Sequence, residues 1–208
     1  MTTTTLEAVR PELVLGRGGG GPASTRTVVA YGFWIFIISD ITMFSALFAA
    51  YAVLSDRTAG GPTASEVINL RHVFIETMCL LVSSYTCGLG ALSAERRRPD
   101  RFLVFAALTF VLGAAFLLIE IADFVDMARV GAVPSRSAFL SAFWALVGMR
   151  GAHVVSGLLW LAYMVAQVVA KGLLSHVLRR LLCFSLFWHA LDIIWVGVLT
   201  VVYLMGVR

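Results

Sequence analysis

Five apolar stretches, each long enough to cross a lipid bilayer as a helix, leave this chain few folds to choose from. They run Val28–Leu54, Leu70–Ala94, Phe102–Met127, Ala138–Ala170 and Leu181–Met205. A hydrocarbon core of about 30 Å takes roughly 20 helical residues to span. None of the five shows the strict alternation of a barrel strand, and each is too long for one. Helices also satisfy their own backbone polar groups, which lipid demands. Composition agrees: of 208 residues, 60% are hydrophobic and only 13% charged, against about 25% charged in soluble domains. A water-soluble fold of this make-up would expose large apolar patches. The expected architecture is an all-α membrane protein with five transmembrane helices in one bundle over residues 28–208. The fourth run exceeds a span and is expected to tilt or project into water.

The connections read as loops. Arg57–Ser65 contains TAGGPTAS, which is turn chemistry. ERRRPDR, Glu95 to Arg101, reads as a tight charged hairpin between the second and third spans. Residues 1–27 combine a threonine run with GRGGGGP and lack apolar periodicity, so a disordered cytoplasmic tail is expected there. No apolar core or small-residue cleavage site precedes the first span, so it does not read as a signal peptide. No internal repeat is found.

Basic residues set the expected orientation. Arg10, Arg17, Arg26, Arg96, Arg97, Arg98, Arg101, Lys171, Arg179 and Arg180 fall on one side; Arg57, Arg71, Arg129, Arg136 and Arg208 fall on the other. The positive-inside rule places the amino terminus in the cytoplasm and the carboxyl terminus outside. The net charge of +4 therefore expresses topology and is no argument for nucleic acid, because the cations sit in short loops. Cys79, Cys87 and Cys183 lie in apolar runs without a C-x-x-C pair, and read as small buried hydrophobes.

Five acids fall inside spans: Asp40, Glu76, Glu120, Asp123 and Asp192. Each costs about 2.5–3.5 kcal/mol at a span centre on insertion scales, so each is expected to face the bundle interior, pair or carry a proton. Glu120, Asp123 and Asp192 have polar companions a turn away and read first as interhelical hydrogen-bond partners. Asp40 has only small hydroxyls such as Thr42 and Ser45 nearby and no cation in its own helix. It divides evenly between proton handling and a structural role. His153 and His189 lie deep in the fourth and fifth spans, His72 and His176 at span ends. Two deep histidines on different helices can grip a haem, and a metal centre with Glu120 or Asp192 is conceivable. Each stands alone on its helix, however, and a satisfied interhelical donor is the commoner outcome. Small residues (Gly148, Gly151, Ala152, Ser156 and Gly157 in the fourth span, Ser83, Ser84, Gly88 and Ala91 in the second) imply close helix packing.

SAFLSAFWALVGMRGAHVVSGLLW and SLFWHALDIIWVGVLTVVYLMG, with YGFWIFIISDITMFSALFAAYAVL, TAGGPT and IEIADF, resemble the subunit III family of haem–copper terminal oxidases. F-W-H-x-x-D-x-x-W at Phe187–Trp195 is the most specific of these motifs. The resemblance extends from about Tyr31 to Gly206 and is nearest to the short, five-helix type found in bacterial cytochrome bo ubiquinol oxidases. It implies a non-catalytic subunit with no catalytic, cofactor-binding or metal residue of its own. Haem and copper are then expected in partner subunit I, where ubiquinol is oxidised. The implied partners are subunit I by direct packing, subunits II and IV, and membrane phospholipid; the implied location is the bacterial inner membrane. The implied role is support of assembly, lipid binding and sustained proton uptake.

Within the resemblance, the family's first-span acid corresponds to Asp40 in SDITMF, a carboxyl expected to face the subunit interface or a lipid cleft. Glu76, Glu120, Asp123, Arg150, His153, His189 and Asp192 form the expected intramembrane polar network. The sequence departs from the family at Gly148–Val154, where G-x-H-G-x-H-V becomes GMRGAHV and Arg150 replaces the first histidine. Asp123 is read as a shorter counterpart of the acid in the third-span motif. Arg150 lies about twelve residues from the outer end of its span, roughly 18 Å along a helix. A guanidinium cannot shed its proton there, so it is expected to pair with Glu120 first and Glu76 second. Two further readings stay open: subunit III of a cytochrome c oxidase or a nitric-oxide-reductase accessory protein, and a free-standing haem protein using His153 and His189.

Overall fold

The structure, a computed structural model, describes residues 25–60 and 69–204. The amino-terminal tail up to residue 24, most of the TAGGPTAS loop and the end of the fifth apolar run lie outside the described residues. Among the described residues, five helices are long and apolar enough to cross a membrane. These are α1 (Thr25–Leu54), α2 (Leu70–Glu95), α3 (Pro99–Arg129), α4 (Ala138–Lys171) and α5 (Ser175–Val198), the last running into a π-helical turn, Leu199–Leu204.

Local chemistry places the helix ends. The Asn69 side chain accepts a hydrogen bond from the Arg71 N–H to cap α2, and Ser137 does the same for Leu140 at the start of α4. Pro99 begins α3, where its missing N–H costs nothing. The charged hairpin is as tight as expected: only Arg96, Arg97 and Arg98 separate α2 from α3, and Arg97 takes a left-handed φ of 56°. At the same end, Gly172 ends α4 with φ 74°. There the structure departs from expectation, because α5 begins at Ser175 rather than Leu181. Arg179 and Arg180, expected in a loop, ride on its first turns, with Arg180 donating to Gln167 of α4 at 3.3 Å.

Helices α2, α3, α4 and α5 form a closed ring, each packed on its two neighbours, and α1 lies outside the ring against α4 and α5. Trp188 and Trp195 of α5 fill the middle of the ring and are fully buried, with Phe116 edge-on to Trp195 at 5.6 Å. An indole N–H in hydrocarbon needs an acceptor. Helix α2 supplies both: Trp188 donates to Ser83 at 3.1 Å and Trp195 to Thr77 at 3.0 Å. The small residues of α4 divide between two faces. Gly157 lies so close to Trp188 that a Cβ there would come within 2.8 Å of the ring, whereas Ala152 and Ser156 are exposed and Gly148 has open space beside it. Among the described residues, the part of the stripe that packs within this chain runs along Gly151 and Gly157.

Candidate intramembrane polar sites

The first site is built around Arg150 of α4. Its Nη2 donates to Glu120 Oε1 of α3 at 2.6 Å, and the two side chains are 1% and 4% exposed. The pair expected from the sequence forms, with Glu120 as the direct partner. The guanidinium carbon also lies 4.0 Å from the Trp195 ring centroid and 4.4 Å from that of Phe116. Those π faces supply attraction that hydrogen bonds do not, since Nε, Nη1 and Glu120 Oε2 have no hydrogen-bond partner among the described residues. Gly151 makes the approach possible: a Cβ at that position would sit 3.2 Å from Glu120 Oε2.

Glu76 of α2 is 2% exposed and makes no direct hydrogen bond to Arg150 among the described residues. It shares with Glu120, Asp123 and Tyr203 a cavity of about 20 Å³, room for roughly one water. Asp123, which also lines the cavity, has a partner outside the expected network. His72 Nδ1 lies 2.6 Å from Asp123 Oδ1, joining the start of α2 to α3. Three carboxyls thus gather near one guanidinium and one imidazole, with apolar side chains around them.

The second site joins α1 to the ring. His153 Nδ1 lies 2.8 Å from the Met149 carbonyl oxygen, and its Nε2 lies 3.0 Å from Asp40 Oδ1. A carbonyl only accepts, so Nδ1 carries a hydrogen. A hydrogen bond between Nε2 and the Asp40 carboxyl then needs its hydrogen from one of the two. Phe44 packs edge-on against the His153 ring at 5.3 Å, and Phe187 lies beside it at 6.3 Å. The partner of Asp40 thus comes from α4 and not from its own helix. Thr42 and Ser45, its presumed neighbours, turn their hydroxyls onto Ile38 and Ile41 of their own helix. A search within one helix could not find a donor that arrives from another. The usable signal was that very few deep donors exist in the chain.

His189 of α5 meets Ser84 of α2 through Nδ1 at 2.6 Å, as expected of an interhelical partner. Asp192, one turn on, has a buried Oδ1 without a hydrogen-bond partner among the described residues. His153 has both ring nitrogens within hydrogen-bond distance of protein groups, and His189 has its Nδ1 on Ser84. Cys79, Cys87 and Cys183 are free thiols.

Comparison with known proteins adds to this geometry. The family model of cytochrome c oxidase subunit III matches residues 18–207. A cytochrome bo(3) ubiquinol oxidase subunit 3 from Pseudomonas aeruginosa is 48% identical over 176 residues, covering 85% of this chain and 84% of the relative. A quinol oxidase subunit 3 from Bacillus subtilis is 40% identical over 84% of this chain and 86% of its own. A cytochrome c oxidase subunit 3 from Bacillus sp. (strain PS3) is 39% identical over 84% of each.

Proposed function

The chain belongs to the cytochrome c oxidase subunit III family, and we propose that it serves as subunit III of a bo-type ubiquinol oxidase. The observation that carries the quinol assignment is the 48% identity, over 85% of the chain, to a bo(3) ubiquinol oxidase subunit. In this reading the chain is a multi-pass protein of the bacterial inner membrane, with residues 1–27 on the cytoplasmic side and the carboxyl terminus outside. The excess of arginine and lysine on the Arg96–Arg101 side supports that orientation. The protein packs on subunit I, which holds the haems and copper and oxidises ubiquinol, and it assembles with subunits II and IV.

The role on this chain is supportive: assembly, lipid binding and sustained proton uptake. Asp40 and His153 are the residues assigned to it. Asp40 and His153 meet where α1 packs on the ring; a proton moved between carboxyl and imidazole leaves the pair's total charge unchanged, and one passed onward has to be replaced from another donor. Glu76, Glu120, Asp123 and Arg150 act as a structural polar core joining α2, α3 and α4, with His189 and Asp192 holding α5 to α2.

The test is co-purification from native membranes through a tag on this chain. A haem-bearing partner that reduces oxygen with ubiquinol is the expected result. Oxygen uptake driven by reduced cytochrome c, with a copper-binding cysteine pair in the accompanying subunit II, would move the chain to the cytochrome c branch represented by the Bacillus PS3 relative. Absence of any haem-bearing partner would overturn the oxidase reading.

A further inference from the structure

The end of the bundle where α2 turns into α3 carries a second kind of surface. A groove of about 420 Å³ runs between the last turns of α2 and the first turns of α3. Leu89 and Leu92 line it from α2, and Val104 and Phe105 from α3, while Arg96 and Arg101 stand at its end beside the hairpin. Both arginines are exposed, and neither has an ion pair among the described residues. Asp100 is the one acid lining the groove, so two cations face one carboxylate. Ser93 lies in the wall but spends its hydroxyl hydrogen on the Leu89 carbonyl at 2.8 Å. Arg97, between the two open arginines in sequence, is committed elsewhere: its Nη1 donates to the Leu173 carbonyl, which ties the hairpin to the α4–α5 connection.

We propose that this groove binds one anionic phospholipid, its phosphodiester between the guanidiniums of Arg96 and Arg101 and an acyl chain along Leu89, Leu92, Val104 and Phe105. Guanidinium forks match phosphate oxygens in geometry and charge. Basic groups at the end of a groove between transmembrane helices are the form that headgroup sites take. The apolar walls select a lipid over free phosphate, because a small hydrated anion gains nothing from leucine, valine and phenylalanine. The charge balance selects an anionic over a zwitterionic lipid, since a choline ammonium would be brought up to two unpaired arginines. The site lies on α2 and α3, away from α1 and the Asp40–His153 pair. It requires only that the chain span a bilayer, so its failure would leave the oxidase reading intact.

The test uses the full complex in detergent, stripped of lipid and then equilibrated with phosphatidylglycerol or phosphatidylcholine, with retained lipid counted by native mass spectrometry. The parent is expected to retain phosphatidylglycerol in excess over phosphatidylcholine and to keep it against excess inorganic phosphate. Arg96→Gln with Arg101→Gln should lower that retention several-fold, while Arg179→Gln should not. Val104→Trp fills the groove at a lipid-facing position without touching charge, and should also lower it should the double variant fail to assemble. Retention unchanged in the double variant or in Val104→Trp overturns the site. Equal retention of phosphatidylcholine overturns its anionic selectivity, and displacement by inorganic phosphate shows a simple anion site instead of a lipid one.

Discussion

Arg150 Nη2 and Glu120 Oε1 lie 2.6 Å apart across the contact between α4 and α3, with both side chains almost wholly buried. In hydrocarbon neither charge has water to fall back on, so removing one leaves the other stranded. Arg150→Met is expected to destabilise the complex by about 3–5 kcal/mol, and Arg150→Met with Glu120→Gln should recover part of that loss. Thermal unfolding in detergent across the full double-mutant cycle measures the coupling. Strictly additive losses would mean that the pair contributes nothing.

The Asp40–His153 contact separates hydrogen bonding from proton handling. Asn at position 40 can still donate to a neutral Nε2, but it holds no exchangeable carboxyl proton. Asp40→Asn is therefore expected to assemble like the parent while losing activity faster during sustained turnover. Asp40→Ala strands Nε2 as well and should lose about 1–3 kcal/mol of stability. Turnover-dependent decay identical in Asp40→Asn and the parent would leave the pair a structural role only.

Packing at Gly157 gives a sharper steric test. A methyl there meets Trp188 at 2.8 Å and Phe187 at 3.1 Å, both rings in the middle of the bundle. Gly157→Ala should cost about 1–3 kcal/mol through overpacking. Gly148→Ala meets nothing within 4 Å and should stabilise by up to about 1 kcal/mol through helix propensity. Equal unfolding temperatures for the two variants would contradict this packing.

Topology can be read by cysteine labelling, because the native cysteines lie within spans. Asp100→Cys, at the charged hairpin, should react with a membrane-impermeant maleimide only from the cytoplasmic side. Asp56→Cys, at the far end of α1, should react only from the outside. The reverse pattern would invert the proposed orientation.

The indole–hydroxyl contacts to α2 are testable one at a time. Thr77→Val removes the acceptor of the Trp195 N–H at 3.0 Å without changing shape much. It should cost about 1–3 kcal/mol, the penalty of a stranded buried donor, and Trp195→Phe in the same background should recover part of it. No recovery would show that the hydrogen bond is dispensable.

The architecture was legible in the sequence because the bilayer imposes a length rule that no tertiary detail can relax. Helices α1 to α4 begin and end within a few residues of the apolar runs, and the Glu95–Arg101 hairpin is as short as its proline and charges imply. Only α5 starts well before its expected first residue, since two arginines at a helix end look like a loop until a partner such as Gln167 is seen beside them. The Arg150–Glu120 pair was also accessible to sequence reasoning, because a permanent charge in lipid must find an acid and few were within reach.

What sequence alone determined, then, is set by solvent: five spans, an orientation bias, and a handful of buried groups that each owe a partner. Which partner each one found was decided by the ring of α2 to α5 and the docking of α1 on its outside. Asp40 sits 113 residues from His153 and His72 sits 51 from Asp123, so nothing local links them. Their pairing depends on the rotation of whole helices about their axes. That rotation is settled by large side chains such as Trp188 and Trp195 closing on glycine and hydroxyl positions. A hydropathy pattern counts apolar residues along a helix; only packing fixes which face meets which.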